Sequence, residues 1–241
     1  MTGKSGENAN LRKNSAWIQL LAALAGVLPL YSTLIIYQLR RGQPPSNQGF
    51  IIYLAVISPL AIVIALMLLR FVCKEHYRDL NLKPGKLSSD LLATLILALV
   101  ILVTNLVSQF LLSELLPASD SNNSVRDLFI QMTSKPELYI IFAGPLIFLG
   151  AASEELIRVF LLSRLWKVWS SVSGKLIMVV ISACLFGLIH IYQGPIHVVW
   201  AAIFGLIMAL YYLRFGRVVP LILAHYVTNA LQVVIIATFS Q

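Results

Sequence analysis

Charged side chains are scarce in this chain: only 12% of its 241 residues are Asp, Glu, Lys or Arg, and 59% are hydrophobic. Soluble globular domains carry about 25% charged and about 45–50% apolar residues. The shortage of charge therefore excludes an ordinary soluble domain. The absence of segments with alternating polarity excludes a transmembrane β-barrel. The composition predicts an all-α, polytopic transmembrane helix bundle.

Cysteine and acidic residues are also rare. Cys73 and Cys184 lie far apart without the spacing of a metal site, and we expect both to be small buried side chains. Asp and Glu number 10 against 18 Lys and Arg, which gives a net charge of +8. We exclude a nucleic-acid partner because the basic residues lie in short loops between apolar runs, as they do in membrane proteins.

Seven apolar runs have about the 20 residues that a helix needs to cross a bilayer. They cover residues 16–38, 50–72, 90–112, 138–162, 175–193, 196–213 and 218–239. We therefore expect about seven spans, within a range of six to eight. We divide this single compact bundle into N-terminal transmembrane helices with their connectors, 1–137, and a transmembrane core, 138–241, that carries the polar motifs described below.

The loops between these runs differ in positive charge. If the N-terminus is cytoplasmic, the cytoplasmic side carries thirteen Lys and Arg residues and the opposite side only Arg40, Arg41, Arg126 and Lys135. Cytoplasmic loops of membrane proteins are enriched in Lys and Arg. The sequence therefore predicts an integral membrane protein with a cytoplasmic N-terminus, and we expect it in the plasma membrane.

The first polar motif interrupts the apolar run 138–162, where Glu154 and Glu155 stand side by side and Arg158 follows. A carboxylate at bilayer depth costs several kcal/mol unless it is paired, protonated or hydrated. Glu154 and Arg158 are four residues apart and share a helix face, and Glu155 is also within reach of the arginine. We expect this cluster to face the interior of the bundle.

Two further polar motifs lie on the apolar runs that follow. Phe186 and His190 are four residues apart, as are His225 and Asn229, so each pair shares a helix face. At a rise of about 1.5 Å per residue, these polar groups and Glu154 lie about 12–22 Å inside the membrane. The sequence therefore predicts that they meet in one middle slab of the bilayer.

These side chains have the chemistry needed to hydrolyse an amide bond in a wet cavity within the membrane. A glutamate beside a histidine can accept a proton from water and so create a nucleophile. A histidine and an asparagine can donate hydrogen bonds to a developing oxyanion. Arg158 can hold one glutamate ionised. Neither Ser153 nor Ser182 lies in a recognisable nucleophile motif.

The three motifs, taken in order, resemble the signature of the CPBP intramembrane proteases. This is the CAAX prenyl endopeptidase-like or "Abi" family, which also includes bacteriocin-processing and immunity proteins. The motifs read Glu154-Glu155-x-x-Arg158, Phe186-x-x-x-His190 and His225-x-x-x-Asn229. The resemblance covers roughly residues 138–232. One departure is that the family usually has three residues between the second glutamate and the arginine, whereas this chain has two.

The resemblance implies a glutamate-dependent intramembrane endopeptidase that needs neither metal nor cofactor. Its implied substrate is a peptide or protein, and lipidated or membrane-associated peptides are included. Activation of water is assigned to Glu154 with help from His190. Stabilisation of the oxyanion is assigned to His225 and Asn229. The remaining two residues of the first motif, the second glutamate and the arginine, are assigned a supporting role.

Several alternatives stay open at this point. With the shortened spacing, Arg158 can tie up Glu154 and leave Glu155 as the base. A zinc site of two histidines and a glutamate is disfavoured because the HExxH spacing is absent. A non-enzymatic immunity or scaffold protein on the same fold is a further alternative. A transporter is disfavoured because the first three apolar runs carry almost no charge and no inverted repeat is visible.

Overall fold

The chain forms a bundle of helices in a computed structural model that describes residues 3–40, 46–80, 82, 85–115, 127, 129–132 and 135–239. Within these residues there is no strand, which confirms the predicted all-α class. The described part contains seven long helices. They are α1 (Gly3–Leu39), α2 (47–72), α3 (Leu87–Leu115), α4 (136–168), α5 (Val172–Leu188), α6 (Pro195–Phe215) and α7 (Val219–Phe239).

Helices α2 and α4 each contain π-helical turns. In α2 these are Tyr53–Ile57 and Leu68–Val72, and in α4 the turn is Phe142–Leu146. Pro145 lies inside the turn in α4 and has no backbone N–H to donate. A π turn inserts an extra residue and changes the face on which later side chains lie. The turn in α4 thus sets the rotation of Ile147–Val168, which carries the first motif.

The lengths of the helices match a membrane protein. Six of the described helices are long and apolar enough to cross a membrane, and α5 is a shorter apolar helix of 17 residues. The prediction of an integral membrane bundle of about seven spans is confirmed. The prediction of a helix over the fifth apolar run, 175–193, was only partly correct. Helix α5 ends at Leu188, and α6 begins after Gly194, whose φ is 96°. His190 consequently lies just beyond the end of α5.

Helices α5 and α6 pack closely through small residues. A Cβ added to Gly187 would lie 2.6 Å from the carbonyl oxygen of Val198 and 2.9 Å from the Cβ of Ala202. Glycine is therefore required for this approach of the two backbones, as is common between membrane helices. The contact holds the end of α5, and with it the second motif, against α6.

The two cysteines are less buried than expected. Cys73 is half-buried and Cys184 is exposed on α5. The prediction of two buried side chains was wrong. On a membrane helix a small apolar side chain can face lipid at no cost, because lipid tails are as apolar as a protein core.

An ion-pair cluster joins three parts of the chain: α1, α4 and the segment that follows α2. Arg164 is only 1% exposed; it donates two hydrogen bonds of 2.7 Å to Glu75 and one of 2.9 Å to Gln19. Lys167 pairs with the same carboxylate from a more exposed position. Burial raises the pKa of Glu75, but hydrogen bonds from Arg164 and Lys167 outweigh burial and lower the pKa below its ordinary value of 4.5.

The lowered pKa of Glu75 predicts a loss of stability in acid. Its contribution is complete above pH 4.5 and is lost as the pH falls through the lower pKa of the folded state. Glu75→Gln should destabilise the protein by about 2 kcal/mol at neutral pH, because Arg164 is left buried without its carboxylate. Thermal unfolding in detergent measures both effects. The control Lys167→Met should cost less than about 1 kcal/mol, and equal losses in the two variants would contradict this account.

Candidate active site

The first motif places its two glutamates in different environments. Glu155 is fully buried and forms an ion pair with Arg158. Glu154 is partly exposed and lines a cavity of about 550 Å³. Arg158 therefore pairs with Glu155, which lies three residues before it, and Glu154 faces the cavity. This pairing is the opposite of the alternative in which Arg158 ties up Glu154.

Aromatic rings support the buried arginine. The Cζ atom of Arg158 lies 4.0 Å from the centroid of the Phe186 ring and 5.7 Å from that of Phe204. A guanidinium group over an aromatic face is attracted by the quadrupole of the ring, whose face is negative. Phe186 lies between the arginine and the histidines of the other two motifs.

His225 of α7 lies between the two glutamates. Its Nδ1 atom is 2.8 Å from Oε1 of Glu155, and its Nε2 atom is 3.7 Å from Oε2 of Glu154. An ionised carboxylate can only accept, so Nδ1 carries the hydrogen of the shorter bond. The ring also packs against Phe204, with centroids 4.6 Å apart. These contacts fix the imidazole and direct Nε2 towards Glu154.

His190 is held by the last turn of α5. Its Nδ1 atom lies 2.9 Å from the carbonyl oxygen of Phe186. A carbonyl oxygen only accepts, so Nδ1 donates this bond. In the neutral ring Nε2 is then left as an acceptor. The rings of His190 and Phe186 are also in contact, with centroids 4.8 Å apart.

The cavity collects most of the residues that the sequence singled out. Four of the six candidate residues line it: Glu154, His190, His225 and Asn229. They come from α4, the turn after α5, and α7, so three separate parts of the chain contribute to one cavity. The other two, Glu155 and Arg158, lie behind the cavity as a buried pair. In the tertiary structure, four candidate residues thus face the cavity and the other two form the buried pair behind it.

Sequence reasoning missed several residues that line the same cavity. They are Tyr53, Asn105, Gln109, Tyr192, Gln193, His197 and Gln232. A signal existed for some of them. Gln232 lies three residues after Asn229 and continues the polar face of α7, and Asn105 and Gln109 are four apart in an otherwise apolar helix.

A metal site would need several ligands close together. Among the residues that the structure describes, no group of three or more His, Cys, Asp or Glu side chains has the arrangement of a metal site.

Comparison with known proteins agrees with the motifs. Residues 136–231 match a protein family described as type II CAAX prenyl endopeptidase Rce1-like. No curated protein and no solved structure matches the chain. The matched segment contains all three motifs, and this similarity supports the resemblance to the CAAX protease-like family. At the level of the family, this similarity supports a CAAX-type intramembrane endopeptidase.

Proposed function

We propose that this chain is an intramembrane endopeptidase that hydrolyses a peptide bond with water activated by Glu154. The observation that carries the proposal is the division of the glutamate pair: Glu155 is occupied by Arg158 and His225, whereas Glu154 faces the cavity. A general base must reach the water it deprotonates. Only the first glutamate of the pair lines a space large enough to hold water and a peptide.

In the first step Glu154 accepts a proton from water, and the resulting hydroxide attacks the carbonyl carbon of the peptide bond. His190 assists, because Nε2 of its neutral ring can accept a hydrogen bond from the same water. The carbonyl π bond breaks as the new C–O bond forms, and the negative charge moves to the carbonyl oxygen. Apolar side chains make up much of the cavity wall, and surroundings of low polarity strengthen these electrostatic interactions.

The oxyanion is stabilised by His225 and Asn229. In the imidazolium form both ring nitrogens of His225 donate, Nδ1 to Glu155 and Nε2 into the cavity. The side-chain amide of Asn229, on the same face of α7, donates a second hydrogen bond. When the intermediate collapses, the C–N bond breaks and protonated Glu154 returns its proton to the leaving nitrogen. The products are a carboxylic acid and an amine.

The substrate and the topology are part of the same proposal. A cavity inside a helix bundle suits a peptide or protein that is already in the membrane, including a lipidated one. The excess of Lys and Arg on one set of loops supports a cytoplasmic N-terminus, and we propose the plasma membrane as the location. The chain needs no cofactor in this mechanism.

The proposal is tested by incubating detergent-purified protein with a peptide library, with and without a chelator. We expect cleavage that the chelator does not change. Cleavage that is lost with chelator and restored by zinc would move the histidines to a metal and contradict the proposed roles. No cleavage, together with a cellular phenotype that survives Glu154→Gln, would favour a non-enzymatic immunity or scaffold protein.

A further inference from the structure

Three amide side chains of α3 and α7, in addition to Asn229, line the cavity. Asn105 and Gln109 belong to α3, and Gln232 belongs to α7. Along α7, Gln232 is seven residues past His225, which corresponds to about 10 Å. Two apolar residues of the wall are strongly exposed, Leu106 at 72% and Ile235 at 51%. The cavity therefore opens between the C-terminal halves of α3 and α7, and the amides lie on the way to this mouth.

Amides are costly at this place unless they have partners. Each amide group has two N–H donors and a carbonyl acceptor. Gln109 donates to the side-chain oxygen of Asn105 at 3.3 Å, and this long bond uses one donor and one acceptor of the pair. The NH₂ group of Asn105 and the side-chain carbonyl of Gln109 are not used in this bond, and both residues line the cavity. Such a pair is suited to a ligand that both donates and accepts.

The spacing of Asn105 and Gln109 along α3 is close to the repeat of an extended peptide. Residues four apart on a helix are separated by about 6.0 Å along its axis. Peptide groups that point to the same side of an extended chain recur every second residue, at about 6.6 Å. Asn105 and Gln109 can therefore meet two successive peptide groups on one side of such a chain.

We propose that Asn105, Gln109 and Gln232 form a binding site for the backbone of an extended substrate peptide. The proposal rests on the proposed function, because the bound chain runs from the cleaved bond towards the mouth. Gln232 lies about 10 Å from His225 along α7, a distance that an extended chain covers in about three residues. Substrates should therefore need at least about three residues on this side of the cleaved bond.

The walls of this site indicate which side chains the peptide carries. The amides are interspersed with apolar residues, namely Phe50, Leu102, Leu106, Ile235 and Ile236. Side chains of an extended chain alternate between two sides. A peptide whose backbone is bound by the amides therefore places its side chains against apolar walls, so apolar residues are favoured near the cleaved bond and charged residues are excluded.

Binding can be measured without cleavage in a Glu154→Gln background. The probes are fluorescein-labelled decapeptides with apolar side chains, followed by fluorescence anisotropy, and the tightest binder is then remade with single N-methyl groups along its backbone. Asn105→Leu, Gln109→Leu and Gln232→Leu should each weaken binding about 3- to 10-fold, the value of one hydrogen bond. Thr104→Val and Thr238→Val are matched controls, because both hydroxyls bond their own helix.

The N-methyl peptides separate backbone recognition from a general effect on folding. In Glu154→Gln with all three amides present, an N-methyl group at one or more backbone positions should weaken binding by a similar factor. In the leucine variant that lacks the corresponding amide, the same N-methyl group should weaken binding no further. Equal losses in both proteins, or no saturable binding of any decapeptide, would overturn the proposal. Cleavage by the wild-type chain with unchanged affinity in the three leucine variants would overturn the amide site alone and leave the proposed function intact.

Discussion

Replacing Glu154 with glutamine is expected to lower kcat for peptide cleavage by about 10²- to 10⁴-fold, the usual contribution of a general base. Glutamine has nearly the same shape but cannot accept the proton of water. KM should change little, because Glu154 contacts the reacting water rather than the bulk of the peptide. The measurement is steady-state cleavage of the best peptide from the library by purified wild type and variant.

The matched control for this experiment is Glu137→Gln. Glu137 is exposed near the start of α4, on the same helix but outside the cavity. This variant should keep full activity, and both variants should unfold at about the wild-type temperature. Cleavage by Glu154→Gln at more than about one tenth of the wild-type rate would contradict a general-base role for this residue.

Removing the second glutamate is expected to damage the protein in a different way. Glu155→Gln leaves Arg158 buried, at 4% exposure, without a carboxylate. Breaking a buried ion pair on one side costs about 3–5 kcal/mol. The same change replaces the charged carboxylate that orients His225 with a neutral amide, whose carbonyl oxygen is a weaker acceptor. We therefore expect both a large loss of stability and a loss of cleavage.

A double variant separates these two effects. In Glu155→Leu with Arg158→Met no buried charge is left unpaired, so at least half of the lost stability should return. Cleavage should stay at least about tenfold below wild type, because His225 has lost its orienting carboxylate. Recovery of activity together with stability would show that Glu155 acts only through folding. Asp90→Asn, which breaks the separate pair with Arg217, should lower stability without changing kcat.

Much of this protein can be predicted from its sequence, because the membrane imposes local rules. A run of about 20 apolar residues must be helical, since backbone polar groups have no other partners in lipid. The spans, the class of fold and the order of the three motifs could therefore be predicted from the sequence. Glu154, His190, His225 and Asn229 were also predicted to share one depth, because the rise per residue of a helix is constant.

Other features depend on how the helices are rotated and packed, which no local pattern specifies. At spacings of three and four, Arg158 can reach either glutamate, and only the packing against Phe186 and α7 pairs it with Glu155. The end of α5 was misplaced because the helix stops at Leu188, and the apolar run continues through a short 3₁₀ turn, Ile191–Gln193.

The amides of α3 show the same limit most clearly. Sequence alone shows that Asn105 and Gln109 lie on one face of an apolar helix, but not which helix that face meets. The contact of α3 with α7 joins them to the cavity that holds His225. Hydrophobicity and helix geometry are properties of short segments, so the sequence by itself determined the spans and the motifs. The pairing of charges and the lining of the cavity are properties of several helices at once, so only the tertiary structure decided them.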